Sequence, residues 1–330
     1  MNASSRVAAA FAMTHTPGLG NRWNEPPADQ AERMRGEFAA ARRELEAAPP
    51  DLVIAFINDH FDMYTLSNMP AFSIATGAEH FGPPADSEEW LQMKRRTFRG
   101  DYPYAMGLYG DLLAAGFDVA RSGSAEFVHN MLMPIRYVLP DSDIPIVPIF
   151  INCFAPPLPR VDRAHAFGRA VRASVDRPDR PDRRICFVAS GGLAHWPPYP
   201  REGRPLADEL DRLMWEVFNH GSQVRQKYPH IRGLVHKREM EMAAARDDLV
   251  NEKWDRALLA LFERGDSRAV CAMEHEDIEP LAGAGGSEVL MWAALMGAMN
   301  DAPGRTRLYE PVRPWMGGVA LFDYPAPSGR

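Results

Sequence analysis

Three of the ten histidines lie just beyond runs of apolar residues that are typical of buried β-strands. The runs and their histidines are residues 7–13 with His15, residues 52–57 with His60, and residues 185–189 with His195. Parallel strands of an open α/β sheet end at one edge, and ligands bind beyond their carboxyl ends. We therefore expect the three imidazoles to share one sheet edge and to form a functional site there.

Two imidazoles and one carboxylate on a single face of a metal form an arrangement that binds non-haem Fe(II) and leaves positions open for oxygen. Zinc accepts the same ligands, so ligand type alone leaves the metal open. The candidates for the carboxylate are Asp59, Glu252 and Glu288. Asp59 points to the other face if its strand continues, and the other two are also explained as acids that the dipole of a helix favours in its first turn. Spacing alone does not decide among them.

Strands that alternate with helices predict one α/β domain over residues 1–330, with its core at about 7–322. We expect a central, mostly parallel or mixed sheet, flanked by helices, with the active site at the carboxyl ends of the strands. Further predicted strands are residues 71–75, 117–120, 144–151 and 315–322. Predicted helices are residues 31–48, 88–99, 102–115, 131–138, 161–175, 205–220, 253–263 and 288–299, with helix and loop over 223–246.

Prolines and glycines make some of these predictions more specific. The prolines of residues 144–151 indicate an edge strand or a bulge, because proline lacks the N–H that a central strand needs. The adjacent glycines Gly317 and Gly318 predict a bulge in the last strand. Ser287 is expected to be the N-cap of the helix that begins at Glu288.

The composition excludes several classes of protein. The net charge is -7 and no cluster of basic residues is present, so a nucleic-acid partner is not expected. Three scattered cysteines are too few for a disulfide framework or a cysteine-based zinc site. No apolar run approaches the length of a membrane span, and no signal-peptide pattern is visible, so we expect a cytoplasmic protein without a membrane partner.

Four short motifs occur together in one order along nearly the whole chain. They are T-H-T-P-G-L at residues 14–19, N-D-H at 58–60, S-G-G-L-A-H at 190–195 and G-S-E-V-L-M-W at 286–292. With these motifs the chain resembles the class III extradiol catechol dioxygenases. The resemblance implies an Fe(II) enzyme that cleaves the ring of a catechol with O2 and inserts both oxygen atoms.

The resemblance also implies a role for each matching residue. His15, His60 and Glu288 would be the iron ligands, and His195 would be the catalytic acid/base. His129 matches a further catalytic histidine of the family. The family has an Asp-His-Gly motif there, whereas this chain has valine before His129 and asparagine after it, which puts the orientation of His129 in question.

The substrate and the assembly are less defined. Phe61, Trp196 and Tyr199 are candidates for the substrate pocket, and the sequence does not identify a cation that would bind a substrate carboxylate. A homo-oligomer is expected, either alone or with a separate small companion subunit, as the resemblance implies. The alternative is a hydrolase that uses the same two-histidine, one-carboxylate metal site, in which bound water is the nucleophile.

Overall fold

Runs of consecutive apolar residues form the middle of an eight-stranded mixed sheet in the computed structural model, which describes residues 6–140 and 143–325. The strand order is β6-β3-β7-β2-β8-β1-β10-β9, and β4 pairs with β5 separately. The strands of the described residues are β1 (Val7–Met13), β2 (Leu52–Ile57), β3 (Phe72–Ala75), β4 (Glu79–Gly82), β5 (Arg96–Arg99), β6 (Ala120–Ser122), β7 (Ile146–Ile151), β8 (Ile185–Ser190), β9 (Arg305–Val312) and β10 (Gly317–Asp323).

Helices cover both faces of this sheet, which explains why its central strands are apolar at every position except Ser190 at the end of β8. The helices of the described residues are α1 (Gly18–Asn21), α2 (Ala28–Ala47), α3 (Glu88–Leu91), α4 (Tyr102–Ala114), α5 (His129–Tyr137), α6 (Val161–Val175), α7 (Glu209–His220), α8 (Ser222–Lys227), α9 (Ile231–Ala245), α10 (Glu252–Glu263), α11 (Ser267–Cys271), α12 (His275–Ala282) and α13 (Val289–Ala298). Successive residues of β2 belong alternately to the core on the α6 and α13 side and to the core on the α2 and α5 side. The prediction of an α/β fold with a mixed sheet flanked by helices is confirmed.

The parallel strands β2, β8 and β1 lie side by side at the centre of the sheet. Met13 at the end of β1 pairs with Ser190 at the end of β8, and Phe56 of β2 pairs with Ala189 of β8. Because the registers bring the three carboxyl ends level, the segments after these strands begin at the same sheet edge. The bounds predicted for β1 and β2, and those for α6, agree with the structure.

The predicted helix over residues 88–99 is wrong. Only Glu88–Leu91 is helical, and Arg96–Arg99 is the strand β5, which pairs antiparallel with β4. In β5 only Phe98 is buried, and its ring packs against Phe127. The partner strand β4 lies outside the segment, so the residue pattern of 88–99 alone does not show that β5 is a strand.

The predicted edge position or bulge of residues 144–151 is also wrong. β7 lies inside the sheet, parallel to β2 and antiparallel to β3. The inside position tolerates Pro148 because the β3 ladder reaches only from Ile149 to Ile151, so Pro148 stands just beyond the last residue paired on that side.

The end of the described chain differs from the prediction in two ways. Strand β9 was not predicted, and it pairs antiparallel with β10. The register runs without a shift through Gly317 and Gly318, and the irregularity lies instead between Leu321 and Phe322. The predicted glycine bulge is therefore wrong.

Candidate active site

Four side chains that come from separate parts of the chain meet at the sheet edge, and we call them the floor: His15, His60, His195 and Glu288. The histidines follow β1, β2 and β8, and Glu288 stands immediately before α13. The Nε2 atoms of His15, His60 and His195 lie 3.3, 3.7 and 3.7 Å from the nearest carboxylate oxygen of Glu288. The shared sheet edge thus brings the three predicted histidines together around one acid.

Glu288 is fully buried, and its carboxylate accepts two hydrogen bonds, from Asn58 Nδ2 at 2.9 Å and from the backbone N–H of Gly192. Burial favours the neutral acid, but the charge interaction with His15 and hydrogen bonds with His15 and His60 outweigh it and hold the pKa of Glu288 well below its ordinary value. The group is therefore an anion at neutral pH.

Within residues 6–140 and 143–325, Glu288 forms no ion pair with lysine or arginine. Burial also lowers the pKa of His60, although hydrogen bonding and charge interaction with Glu288 oppose the shift. A neutral imidazole is the form that binds a metal. A buried anion is expensive unless a cation compensates it.

Two observations test whether these residues fit a metal. Ligand atoms of His15, His60 and His129 all lie within 4.8 Å of one another. The buried Nδ1 atoms of His60 and His129 have no hydrogen-bond partner among the described residues. Imidazole and carboxylate donors around one point suit Fe(II) and Zn(II), so the residues fit a divalent metal ion.

The hydrogen bonds of His15 and His195 indicate which ring nitrogen of each faces the site. Nδ1 of His15 is 2.9 Å from Ser190 Oγ, and Nδ1 of His195 is 2.8 Å from the carbonyl oxygen of Leu193. Because a carbonyl only accepts, His195 donates through Nδ1 and presents Nε2 as the free base when the ring is neutral.

His129 completes the group from the first turn of α5. Its ring stacks on His60 with centroids 4.3 Å apart and meets Trp90 edge-on at 5.2 Å. Burial lowers the pKa of His129 well below its ordinary value, and interactions with His60 and His15 add to the shift. His129 is thus a neutral imidazole. The flanking Asn130 turns its side chain to the backbone, where it donates to the carbonyl oxygen of Asn58 at 2.5 Å.

The other acids considered from sequence do not reach the floor. Asp59 accepts from the backbone N–H groups of Asp62, Met63 and Tyr64, so it stabilises the turn after β2. Glu252 accepts from Arg256 on the exposed face of α10. Glu288 is the acid that lies beside the histidines.

Ser287 does not cap α13, and this prediction is wrong. A 3-10 turn over Ala284–Glu288 runs directly into α13, with Glu288 itself at the N-cap position. The hydroxyl of Ser287 lies 3.1 Å from Nδ1 of His275 instead.

The loop that carries His195 rests on Asp255, a residue that sequence reasoning missed. Asp255 is fully buried, and it accepts from the backbone N–H of Ala194 at 2.8 Å and from the hydroxyl of Tyr309 at 2.7 Å. Burial raises the pKa of Asp255 to about 6. A signal was present, because Asp255 shares the helical spacing of the apolar residues Leu258, Leu259 and Phe262 in α10.

Glycines let the chain approach the imidazole of His195. A Cβ on Gly285 would overlap the ring, and one on Gly192 would crowd both the ring and the carboxylate of Glu288. The isolated bridge between His195 and Gly317 holds the same loop against the start of β10. His195 is therefore held by its surroundings on several sides.

A cavity of about 440 Å³ opens above the floor. This volume lies in the range of pockets that hold small organic ligands. Trp196 and Tyr199 line it, as expected for pocket residues. Phe61 does not line it: its ring stacks on Phe218 at 4.1 Å, in a small apolar cluster beneath α7, α8 and α9.

Helices α8 and α9 cover the cavity on the side away from the sheet. Six of their side chains line it, two of them apolar, Ile231 and Val235; we call the four polar ones the roof: Arg225, Arg232, His236 and Glu239. Arg232, His236 and Glu239 lie on one face of α9, since they are three or four residues apart. The roof side chains are 12% to 54% exposed, whereas those of the floor are 1% to 27% exposed.

None of the helices within residues 6–140 and 143–325 has the length and apolarity needed to span a membrane.

Comparison with known proteins gives one family and several relatives. A family model described as the catalytic LigB subunit of aromatic ring-opening dioxygenase matches residues 9–315. Relatives named 2,3-dihydroxyphenylpropionate/2,3-dihydroxicinnamic acid 1,2-dioxygenase are 29% identical over 318 residues in Photorhabdus laumondii, covering 94% of this chain and 95% of the relative. The relative of the same name in Rhodococcus sp is 30% identical over 319 residues, covering 95% of this chain and 96% of the relative. For Escherichia coli they are 25% over 324 residues, covering 94% and 96%.

Proposed function

Because this chain belongs to the family of catalytic LigB subunits of aromatic ring-opening dioxygenases, and is an extradiol ring-cleaving dioxygenase, we propose that it uses Fe(II) and O2 to open the ring of a catechol and to insert both oxygen atoms. The observation that carries the proposal is the floor, in which a buried carboxylate is surrounded by three imidazoles and has no lysine or arginine partner in the described chain.

His15, His60 and Glu288 would hold the iron in this proposal. When bound, Fe(II) with such a triad keeps coordination positions open for the two catechol oxygens and O2. The hydrogen bond between His15 and Ser190 leaves Nε2 of His15 for the metal. The two donors to Glu288, Asn58 and Gly192, orient its carboxylate toward the same point.

His195 is proposed to move the proton. A catechol hydroxyl must lose its proton to bind a metal, and Nε2 of His195 faces the floor as the free ring nitrogen. The side chain is 27% exposed, so the proton can reach solvent or return to the product. General acid–base catalysis of this kind contributes roughly a hundred- to ten-thousand-fold in rate.

His129 is proposed to contact the substrate as a neutral imidazole. Its burial disfavours the charged form, and its ring stands against His60 on one side and Trp90 on another. A neutral ring in this place orients the catechol without adding a positive charge beside the metal.

The test is anaerobic reconstitution of the purified chain with Fe(II), followed by measurement of oxygen uptake with protocatechuate, gallate and 2,3-dihydroxyphenylpropionate. We expect oxygen uptake with at least one catechol and formation of a ring-opened product. Inactivation by chelators or oxidants, with recovery on adding Fe(II) and reductant, is also expected. Activity that zinc alone restores, without oxygen uptake, would instead support the hydrolase. Activity of the chain by itself would exclude a requirement for a companion subunit.

A further inference from the structure

Three arginines line the cavity, and they differ in how many contacts hold them and in how exposed they are. Arg22 binds Glu25 and Glu239 with its guanidinium and also donates to the carbonyl oxygen of Pro314. All of its donor nitrogens are therefore occupied, and it has little capacity for a ligand.

Arg225 is also committed to the protein. It donates to Asp62 and, at 3.3 Å, to Asp86, and its side chain is 12% exposed. Asp62 and Asp86 are themselves nearly buried, so the three groups form an internal ion-pair network. Arg225 lines the cavity, but these ion pairs give it a structural role.

Arg232 is more exposed than the other two arginines, whose side chains are each 12% exposed. Its Nε donates to the carbonyl oxygen of Asp86 at 2.8 Å. Its Nη2 donates to the carboxylate of Asp86 at 3.1 Å and to the hydroxyl of Ser87 at 2.5 Å. Nη1 has no hydrogen-bond partner in the described chain, and the side chain is 32% exposed. Arg225 and Arg232 share Asp86, and Asp62 supplies the second negative charge of this network, so Arg232 offers a ligand its free donor rather than an uncompensated charge.

The guanidinium of Arg232 is also held in a fixed position relative to the floor. It lies over the ring of Trp90 with its Cζ 4.8 Å from the ring centroid, and Trp90 meets His129 at 5.2 Å. The guanidinium therefore lies at most about 10 Å from His129, the sum of these two distances. A guanidinium held by several contacts loses little conformational freedom when it binds a carboxylate.

We propose that Arg232 binds a carboxylate on the substrate, so that the preferred substrate is a catechol with an acid side chain. This inference rests on the proposed function and adds a specificity residue to it. Three carbon–carbon bonds of about 1.5 Å place a carboxyl group roughly 4 Å beyond an aromatic ring. A ring bound at the floor beside His129 would bring such a group close to Nη1 of Arg232.

The experiment compares 2,3-dihydroxyphenylpropionate with 3-propylcatechol, which has a similar side chain without the carboxylate. The readout is the ratio of kcat/KM for the acid to kcat/KM for 3-propylcatechol. We expect Arg232→Met to lower this ratio roughly ten- to a hundred-fold, the range for loss of a hydrogen-bonded charge pair, and the change to appear mainly in KM of the acid. Arg232→Lys, which keeps the charge but not the fork of donors, should give an intermediate ratio.

Lys237→Met is the matched control, because Lys237 lies on α9 but is exposed, pairs with Glu241 and does not line the cavity. It should leave the ratio at the wild-type value. An unchanged ratio in Arg232→Met, or an equal fall in Lys237→Met, would overturn the role of Arg232 while ring cleavage of 3-propylcatechol still supported the proposed function. If the iron-loaded wild type cleaved neither compound nor any other catechol, the proposed function would fail, and the carboxylate site with it.

Discussion

The floor and the roof enclose one cavity, yet they are built in different ways. The histidines of the floor follow the carboxyl ends of central strands, and Glu288 directly precedes a buried helix. Glu288 has no solvent exposure. The roof is carried by the helices α8 and α9 outside the sheet, held by ion pairs and by one small apolar cluster. Groups held at the sheet edge suit metal binding and proton transfer, whereas charged groups on the covering helices suit discrimination between substrates.

Phe61 connects these two regions. It follows His60 directly, and its positive φ of 60° turns the chain so that its ring stacks on Phe218 under the roof helices. The expectation that Phe61 lines the pocket is thus replaced by a packing role. Phe61, which is adjacent to the metal-ligand candidate His60, thus links the floor to the helices that carry the roof.

The largest expected effect distinguishes an acid of the floor from an acid of the roof. Glu288→Ala should lose the metal and all measurable activity, because even loss of a group that only orients a ligand weakens metal affinity roughly ten- to a hundred-fold. Glu239→Ala, which removes a roof acid paired with Arg22, should keep its metal. Metal analysis of both purified variants checks the difference. Full metal content in Glu288→Ala would remove it from the ligand set.

A smaller effect is expected for histidines of the two regions. His195→Ala should keep its metal and bind catechol, but its kcat should fall roughly a hundred- to ten-thousand-fold, since only proton transfer is lost. His236→Ala, which changes an exposed roof histidine, should reduce kcat far less. Steady-state kinetics with metal analysis would distinguish the cases: a metal-free His195→Ala protein would make His195 a ligand, and a fully active one would leave it without a catalytic role.

The smallest effect concerns the support of the floor. The pKa of Asp255 in the fold is about 6, above the ordinary value of 3.8. A raised pKa means that the contribution of this group to the free energy of unfolding is greatest below about pH 4 and is lost as the pH rises through 6. Relative to Asp255→Asn, the wild type should therefore lose about 1 kcal/mol between pH 5 and pH 7.5.

Urea unfolding of the metal-free proteins at both pH values measures this difference. Glu252→Gln is the control on the exposed face of the same helix, and its difference from wild type should not follow this trend. A stability difference for Asp255→Asn that is the same at both pH values would show that the Asp255 carboxyl does not titrate in this range.

Much of the floor could be predicted because it depends on local sequence. Unbroken apolar runs identify strands buried on both faces, and a histidine after each run must stand at the sheet edge. This placed His15, His60 and His195 correctly. Glu288 could not be chosen by spacing, because an acid before a helix is common, and only the resemblance favoured it over Asp59 and Glu252.

The parts that could not be predicted depend on contacts between distant segments. β5 is a strand because β4 lies beside it, and Pro148 is tolerated inside the sheet because the ladder to β3 is short. Only Ile231 of α9 is buried, so the apolar residues of this helix show a weak periodicity. The local sequence therefore does not indicate that the helix covers the cavity. Arg232 could not be recognised as a carboxylate-binding candidate for the same reason.

Helix α13 has a consequence for how the enzyme would retain its metal. All ten residues of α13 are buried, and the helix packs between the sheet and α6, so its backbone amides are reached by solvent through global unfolding rather than through local fluctuation. Glu288 is joined to the first residue of this helix. A metal held by Glu288 would then have one ligand that moves only when the whole fold opens, and replacement of the roof by another sequence need not change this.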